Sequence, residues 1–307
     1  MKAGSKILIT GGSGMLGSSL FFTWQEKADI YLLSRELPAY DQEKSVSVDL
    51  TDGQKTLEAV KKISPDIIVH TAAMTNVDYC EDNPEQARAV NVMATENIAL
   101  ATKEIGAKLV YISTDFVFDG KKGNYTEEDV PNPLSVYAKT KWEGEEVVRN
   151  ILTDWLIIRT TIYGWNILQK SCFPEAVINA LSQGKEFTPF EDQYSTPVFT
   201  ETLADVLWQL LEKNKIGIYN VTCNEILSKY QWAQMVADEF GLDQSSLRPV
   251  PFALAILRAP RPVNASLNNA KLLSELGWDK ISLKDDIKKM HLRQNFYGQY
   301  KKSREKS

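Results

Sequence analysis

Short, unbroken apolar runs alternate with longer stretches of helical periodicity through the first half of the chain. KILIT (6–10), IYLLS (30–34), SVSV (45–48), DIIVH (66–70) and KLVYIS (108–113) read as strands, with helical patterns near 14–26, 52–62 and 84–105 between them. A strand with one wet face alternates apolar and polar residues. Apart from the short SVSV, these runs do not alternate, so both of their faces must be covered. Strand and helix taking turns, with strands covered on both sides, predicts an α/β fold built on a doubly wound parallel sheet of the Rossmann type. A helix from Tyr137 to about 150 and the run WLIIR (155–159) continue the pattern. Beyond Gly164 it weakens. Helical periodicity recurs at 173–184, 200–213, 229–240, 268–276 and 283–295, GIYNV (217–221) reads as one more strand returned to the sheet, and PVPFALAILRAPRPVN (249–264) is a proline-rich connector. The expected division is residues 1–165 for the main sheet and 166–307 for a smaller, discontinuous α/β part.

Composition narrows the class of partner. The 307 residues are 43% apolar and 10% aromatic, enough for a sizeable core, and carry a net charge of −5. Nucleic acid or an anionic membrane would require a basic patch, and the chain offers only its KKSREKS end, which reads as solvated. No apolar stretch is long enough to cross a bilayer, and MKAGSK leads into a strand rather than a signal-peptide core, so a cytoplasmic protein is expected. Cys80, Cys172 and Cys223 are widely spaced and form no CxxC pair, which predicts neither a disulfide framework nor a metal site.

Chemistry enters at 10–17, TGGSGMLG, between the first strand and the first helix. Gly11 permits the tight turn, Gly14 lets a pyrophosphate approach the backbone, and Gly17 allows helix and strand to pack closely. The N–H groups from Ser13, Met15 and Leu16 are then free to receive phosphate oxygens. At the end of the second strand, Ser34 and Arg35 precede Glu36, an order suited to a 2′-phosphate. NADPH is therefore the expected cofactor, with NADH possible. Thr71, Ala72 and Ala73 follow the fourth strand and should border the same crevice.

A second pattern is Tyr137 with Lys141 four residues on, one helical turn away on the same face. A phenol with an ordinary pKa near 10 needs a cation close by to exchange protons near neutrality. The Gly-x-x-Gly-x-x-Gly spacing together with this YxxxK resembles the extended short-chain dehydrogenase/reductase superfamily. That resemblance implies Thr114 as the hydroxyl that holds the substrate carbonyl beside Tyr137, and gives Lys141 a second contact, to the nicotinamide ribose. It places Asp49 and Leu50 beside the adenine, where Asp49 could equally cap a helix. It also groups Asn91 with the cofactor side, as an Asn that organises the active site.

Four segments sharpen the resemblance: STDFVFDG (113–120), YTEEDVPNPLSVYAKTKWEGE (125–145), DQYSTPVFTETLAD (192–205) and RPVNASLNNAKL (261–272). Together they are similar to the dTDP-4-dehydrorhamnose reductase family over nearly the whole chain. The implied activity is NAD(P)H-dependent reduction of the C4 keto group of a nucleotide-linked 6-deoxy-4-keto sugar. Phe116 separates the chain from nucleotide-sugar 4,6-dehydratases, which resemble this scaffold but carry Thr-Asp-Glu, with the acid and base that eliminate water. Asp115 either touches the substrate and shifts a proton or caps its loop. Thr75, Val77 and Asp78 match a T-x-V-D loop near the sugar, and Arg261 matches a cation facing the diphosphate; Phe116 and Thr114 complete the expected substrate side. The family's Trp after R-T is displaced here: RTTIYGW carries Trp165 beyond Gly164.

Two alternatives stay open on the same residues. NEILSKYQWAQMVADEFGLDQSSLRPV (224–250) resembles the regulatory β subunit of methionine adenosyltransferase as well as it does the reductases. An epimerase, or a reductase for a sugar on another nucleotide, shares the remaining motifs. The resemblance also implies a homodimer, formed through helices such as 84–105 and 135–150.

Overall fold

The computed structural model describes residues 4–168 and 171–304 of the chain. Its first half lays down β1 (Lys6–Thr10), β2 (Asp29–Ser34), β3 (Ser45–Ser47), β4 (Ile67–His70), β5 (Lys108–Ile112) and β6 (Trp155–Arg159). Two short pairs follow, β7 (Ile162–Tyr163) with β9 (Val198–Phe199), and β8 (Tyr194–Ser195) with β11 (Leu227–Ser228); between them β10 (Gly217–Asn220) returns to the main sheet. That sheet has seven strands in the order β10-β6-β5-β4-β1-β2-β3, every neighbouring pair parallel.

The unbroken apolar runs are explained by two cores. Ile7 and Ile9 of β1 join Ile67, Val69, Val110, Ile112, Leu156 and Ile158 on one side of the sheet, while Leu8 joins Leu33, Ile68, Leu109, Tyr111 and Ile157 on the other. Side chains alternate between faces along each strand, and both faces bury them. Helices α1 (Met15–Trp24) and α2 (Gly53–Ile63) cover opposite faces, as the membership of Leu20 and Val60 in the two cores shows.

The helix expected over 84–105 is broken. It runs as α3 (Val77–Asp82), α4 (Pro84–Arg88), a π-helical turn (Ala89–Met93) and α5 (Ala94–Ile105). Pro84 sits in the first turn of α4, where its missing N–H costs nothing, and it forces α3 to stop. Then come α6 (Val136–Ile151), α7 (Phe173–Leu181), α8 (Thr200–Glu212), α9 (Lys229–Glu239), α10 (Ala270–Leu276) and α11 (Leu283–Arg304). The last helix extends beyond the expected 295, so most of the KKSREKS end is helical rather than a frayed tail; its final three residues lie outside the described ones. Among the described residues no helix is long and apolar enough to cross a membrane.

Candidate active site

Parallel strands deliver their carboxyl ends to one edge, and each expected site segment leaves from that edge. After β1, Gly11 adopts φ +69°, and a Cβ there would lie 2.9 Å from the Ala72 backbone. At Gly17 a Cβ would come within 2.3 Å of the Gly11 carbonyl oxygen. Gly14 is different: a Cβ would meet only the Gly11 oxygen, at 3.2 Å, with open space otherwise. The Gly11 N–H donates to Leu33 O at 2.7 Å and the Gly14 N–H to Gly11 O at 2.9 Å, which ties the turn to β2. Helix α1 starts without a side-chain cap and without an acidic residue in its first turn. Such an N-terminus offers N–H groups and a positive dipole end to an anion, so the turn fits a pyrophosphate.

At the end of β2 the structure separates the two expected 2′-phosphate ligands. Ser34 is buried and its hydroxyl donates to Glu36 O at 2.6 Å, so Ser34 shapes the turn rather than facing a ligand. Arg35 is exposed and makes no ion pair among the described residues. Asp49 accepts from the Thr51 N–H at 3.0 Å and the Thr51 hydroxyl at 2.8 Å, bonds that hold its carboxyl below the usual range; it caps the turn before α2, while the helix itself is capped by Asp52. The Leu50 side chain is buried in the core, and its carbonyl accepts from Asn97 at 2.8 Å. After β4, the Thr71 hydroxyl donates to Thr10 O at 2.6 Å, and Ala72 and Ala73 remain half-buried at the rim. Beneath them His70 is wedged between Thr10 (2.7 Å) and Thr95 (3.1 Å), and burial pushes its imidazole down to about 3, which keeps it neutral.

Asn91, grouped at first with the cofactor residues, spends its amide on the protein. It accepts from the Met74 N–H at 2.8 Å and donates to Met74 O at 3.1 Å and the Thr140 hydroxyl at 3.0 Å. Its place in the π-helical turn gives the side chain that reach, and it clamps the loop after β4 to α6.

The three expected catalytic side chains come from the end of β5 and from α6. The Thr114 hydroxyl donates to Asp115 at 3.0 Å and accepts the Phe116 N–H at 3.2 Å, which fixes it at the mouth of the crevice. Ser135 caps α6 by accepting from the Ala138 N–H at 3.3 Å. Four-residue spacing then sets Tyr137, Lys141 and Glu145 along one face. Gly144 lets that face settle on the sheet, since a Cβ there would lie 2.2 Å from the Tyr111 hydroxyl oxygen. The Lys141 ammonium stands 4.0 Å from the Tyr111 ring centroid, and the Tyr111 hydroxyl donates to Lys141 O at 3.2 Å. Burial lowers Lys141 to about 7, against the attraction of Glu145. Burial raises the Tyr137 phenol, against the opposing influence of the nearby Thr114 hydroxyl, and the Phe116 ring stands edge-on to it at 6.3 Å.

Asp115 is pushed up to about 6, first by burial, with the Thr161 and Thr114 hydroxyls and the Lys229 ammonium opposing. Both its Oδ2 and the Thr161 hydroxyl are buried without an aligned hydrogen bond, so the Thr161 influence is one of proximity. On the other wall Asp78 and Arg261 meet each other, at 2.9 Å, while the second terminal nitrogen of Arg261 is buried and unpartnered. Thr75 is exposed and Val77 half-buried beside them. Trp165 is not on this wall: its indole donates to Met290 O at 2.7 Å, inside the core against α11.

Sequence reasoning missed Glu145, Arg159 and Lys229. Glu145 lies two turns from Tyr137 on the same face and accepts from Arg159 at 2.8 Å and Ser113 at 2.5 Å; an arginine ending the apolar run WLIIR was the available signal. Lys229 gave none, because its position depends on a two-residue strand, β11. Its ammonium stands 4.7 Å from the Trp232 ring and 5.1 Å from Phe173, close enough to Asp115 to be felt there; burial lowers it to about 8.

Comparison with known proteins agrees with the geometry. The model of the RmlD substrate binding domain matches residues 5–295. The chain belongs to this family. Methionine adenosyltransferase 2 subunit beta of Rattus norvegicus is 34% identical over 277 residues, covering 87% of this chain and 81% of that one. The probable low-salt glycan biosynthesis reductase Agl14 of Haloferax volcanii is 30% identical over 285 residues, covering 91% and 95%. Among solved structures, the dTDP-4-dehydrorhamnose reductase of Bacillus anthracis in complex with NADP superposes with TM-score 0.86 at 27% identity, covering 94% of this chain and 99% of that one. The seven-stranded parallel sheet is thus that of the extended short-chain dehydrogenase/reductases.

Proposed function

We propose that this RmlD-family chain is an NAD(P)H-dependent oxidoreductase that reduces the C4 keto group of a nucleotide-linked 4-keto-6-deoxy sugar, with dTDP-4-dehydrorhamnose as the foremost substrate. The observation that supports the reading is Thr114 just after β5, with Tyr137 and Lys141 one turn apart on α6, which packs on β5 two strands from the one that leads into the glycine turn. When bound, the reduced nicotinamide supplies hydride to the carbonyl carbon. The rest is the work of side chains. Thr114 and Tyr137 hold the carbonyl oxygen; Tyr137, kept protonated by burial, gives its proton as charge develops there, and the Lys141 ammonium stabilises the phenolate left behind. Ketone, hydride and proton sum to the alcohol. Phe116 offers no base for elimination, which favours reduction over dehydration.

The turn at 10–17 receives the pyrophosphate, and Arg35, without an ion pair among the described residues, is the residue suited to a 2′-phosphate, which favours NADPH over NADH. Residues 1–165 together with β10 serve the dinucleotide, and 166–307 close over the sugar, with the spare nitrogen of Arg261 toward the diphosphate. A homodimer through the 84–105 segment and α6 fits the exposure of Met93, at the end of the π-helical turn, and Leu100 in α5. The test is oxidation of NADPH, followed by absorbance, with a panel of nucleotide-linked 4-keto-6-deoxy sugars: turnover with the thymidine-linked sugar supports the reading. The likeness to methionine adenosyltransferase 2 subunit beta carries a second reading, an NADP-binding regulatory subunit. Tight NADPH binding with no turnover on any sugar selects it.

A further inference from the structure

The family match stops at residue 295, whereas α11 continues to Arg304 and brings Phe296, Tyr297 and Tyr300 with it. These rings close around Phe22 of α1, with centroids at 5.1, 5.8 and 4.7 Å. Tyr40, from the loop after β2, packs at 4.9 Å against both Phe21 and Phe22 and stands edge-on to Tyr300 at 6.4 Å. Its hydroxyl donates to the Gly12 carbonyl, inside the glycine turn. The helix end is held down independently: Tyr297 donates to Glu201 at 2.9 Å and lies 3.3 Å from the Ser19 hydroxyl, and Arg293 donates to Glu201 at 2.8 Å. Ser13, Pro38, Ala39, Tyr40, Ile167 and Tyr300 line one small cleft, so the added turns reach the nucleotide loop itself.

We propose that the last turns of α11 brace the dinucleotide loop, with Tyr40 as the positioning residue and Tyr300 as its support. In a planar trans peptide the C=O and N–H point in opposite directions. Holding the Gly12 carbonyl therefore fixes the Ser13 N–H, one of the donors a pyrophosphate would use. A turn containing four glycines between 11 and 17 loses much backbone entropy when it orders. Ordering it before the ligand arrives removes that cost from binding. The brace rests on the reading of this turn as the dinucleotide site, and it adds a coupling between that site and a segment beyond the family match.

The experiment is titration of NADPH into the full-length wild type, Tyr40→Phe, Tyr300→Phe and Tyr300→Ala, with Tm and the sugar KM at saturating NADPH measured alongside. Tyr40→Phe keeps the ring and loses only the donor; it should raise the NADPH Kd about tenfold while Tm stays within about 2 °C and the sugar KM within about twofold. Tyr300→Ala should raise Kd about fivefold and Tyr300→Phe restore it. Unchanged Kd in Tyr40→Phe overturns the brace while leaving the cofactor reading standing, and equal Kd for the two Tyr300 variants removes Tyr300 from it. Failure of the wild type to bind NADPH is a different result: it overturns the cofactor reading.

Discussion

Helix α6 buries two charges one turn apart and treats them in opposite ways. Glu145 accepts from Arg159 and Ser113, and the guanidinium spreads over Phe118 and Trp142, at 5.2 and 5.9 Å. Lys141, equally buried, has a ring face at 4.0 Å and no carboxylate in ion-pair contact among the described residues. A buried charge that is fully partnered is scaffold; one that is left against a π face keeps a mobile proton. Under the proposed function, the contrast separates the part of the helix that orders the site from the part that takes part in the reaction.

The sharpest way to break this contrast is at Tyr137. Tyr137→Phe should cut kcat for sugar reduction by about 10³-fold while NADPH affinity stays within about twofold, because only the proton is lost. Steady-state kinetics with a binding titration decide it, and retained turnover would remove the phenol from the chemistry. Next in size, Glu145→Gln strips the charge that balances Arg159 inside the core and should cost about 3–5 kcal/mol by urea unfolding. A loss below about 1 kcal/mol would mean that the pair is not scaffold.

Lys141→Met should move the other way on stability. The folded-state value is near 7, below the ordinary 10.5, so below pH 7 the native protein buries a full charge that the unfolded chain keeps in water. The penalty is complete below about pH 7 and fades toward pH 10.5. The variant should therefore gain a few degrees in Tm at pH 6, with the gain shrinking by pH 10, and lose reductase activity at both. A lower Tm at pH 6 would show that the ring contact outweighs the buried charge. The smallest effect is in the wild type: kcat/KM should fall by up to about tenfold per unit as pH rises past about 7 and the ammonium empties, with Lys141→Arg shifting the fall upward. A flat profile from pH 6 to 9 would disconnect this titration from the rate.

What could be read from the chain beforehand follows the same line. The central strands were legible because they are apolar on both faces, and the glycine turn because Gly11 and Gly17 have no room for a Cβ. Tyr137 and Lys141 were legible through i,i+4 spacing. Long-range partners were not. Trp165 looked like a displaced sugar contact, yet its direction is set by the Met290 carbonyl, 125 residues away. Arg261 read as a cation facing the diphosphate because nothing local announces Asp78, and Asn91 read as an organising residue whose partner could not be named, because the π-helical turn that aims it at Met74 leaves no clear periodic mark. Asp49 and Ser34 carry the same lesson at shorter range: small polar side chains beside a turn satisfy that turn first.

Strand β10 has one further consequence, for synthesis. It pairs along β6 from Leu156 to Arg159, but each of its residues is translated 61 positions after its partner. Until Asn220 has left the ribosome, the nascent sheet ends in an open row of N–H and C=O groups beside WLIIR, a surface to which another chain could add a strand. A fragment cut near residue 165 would keep that edge bare and tend to aggregate, so the sheet that carries the glycine turn matures only once part of the C-terminal half has been made.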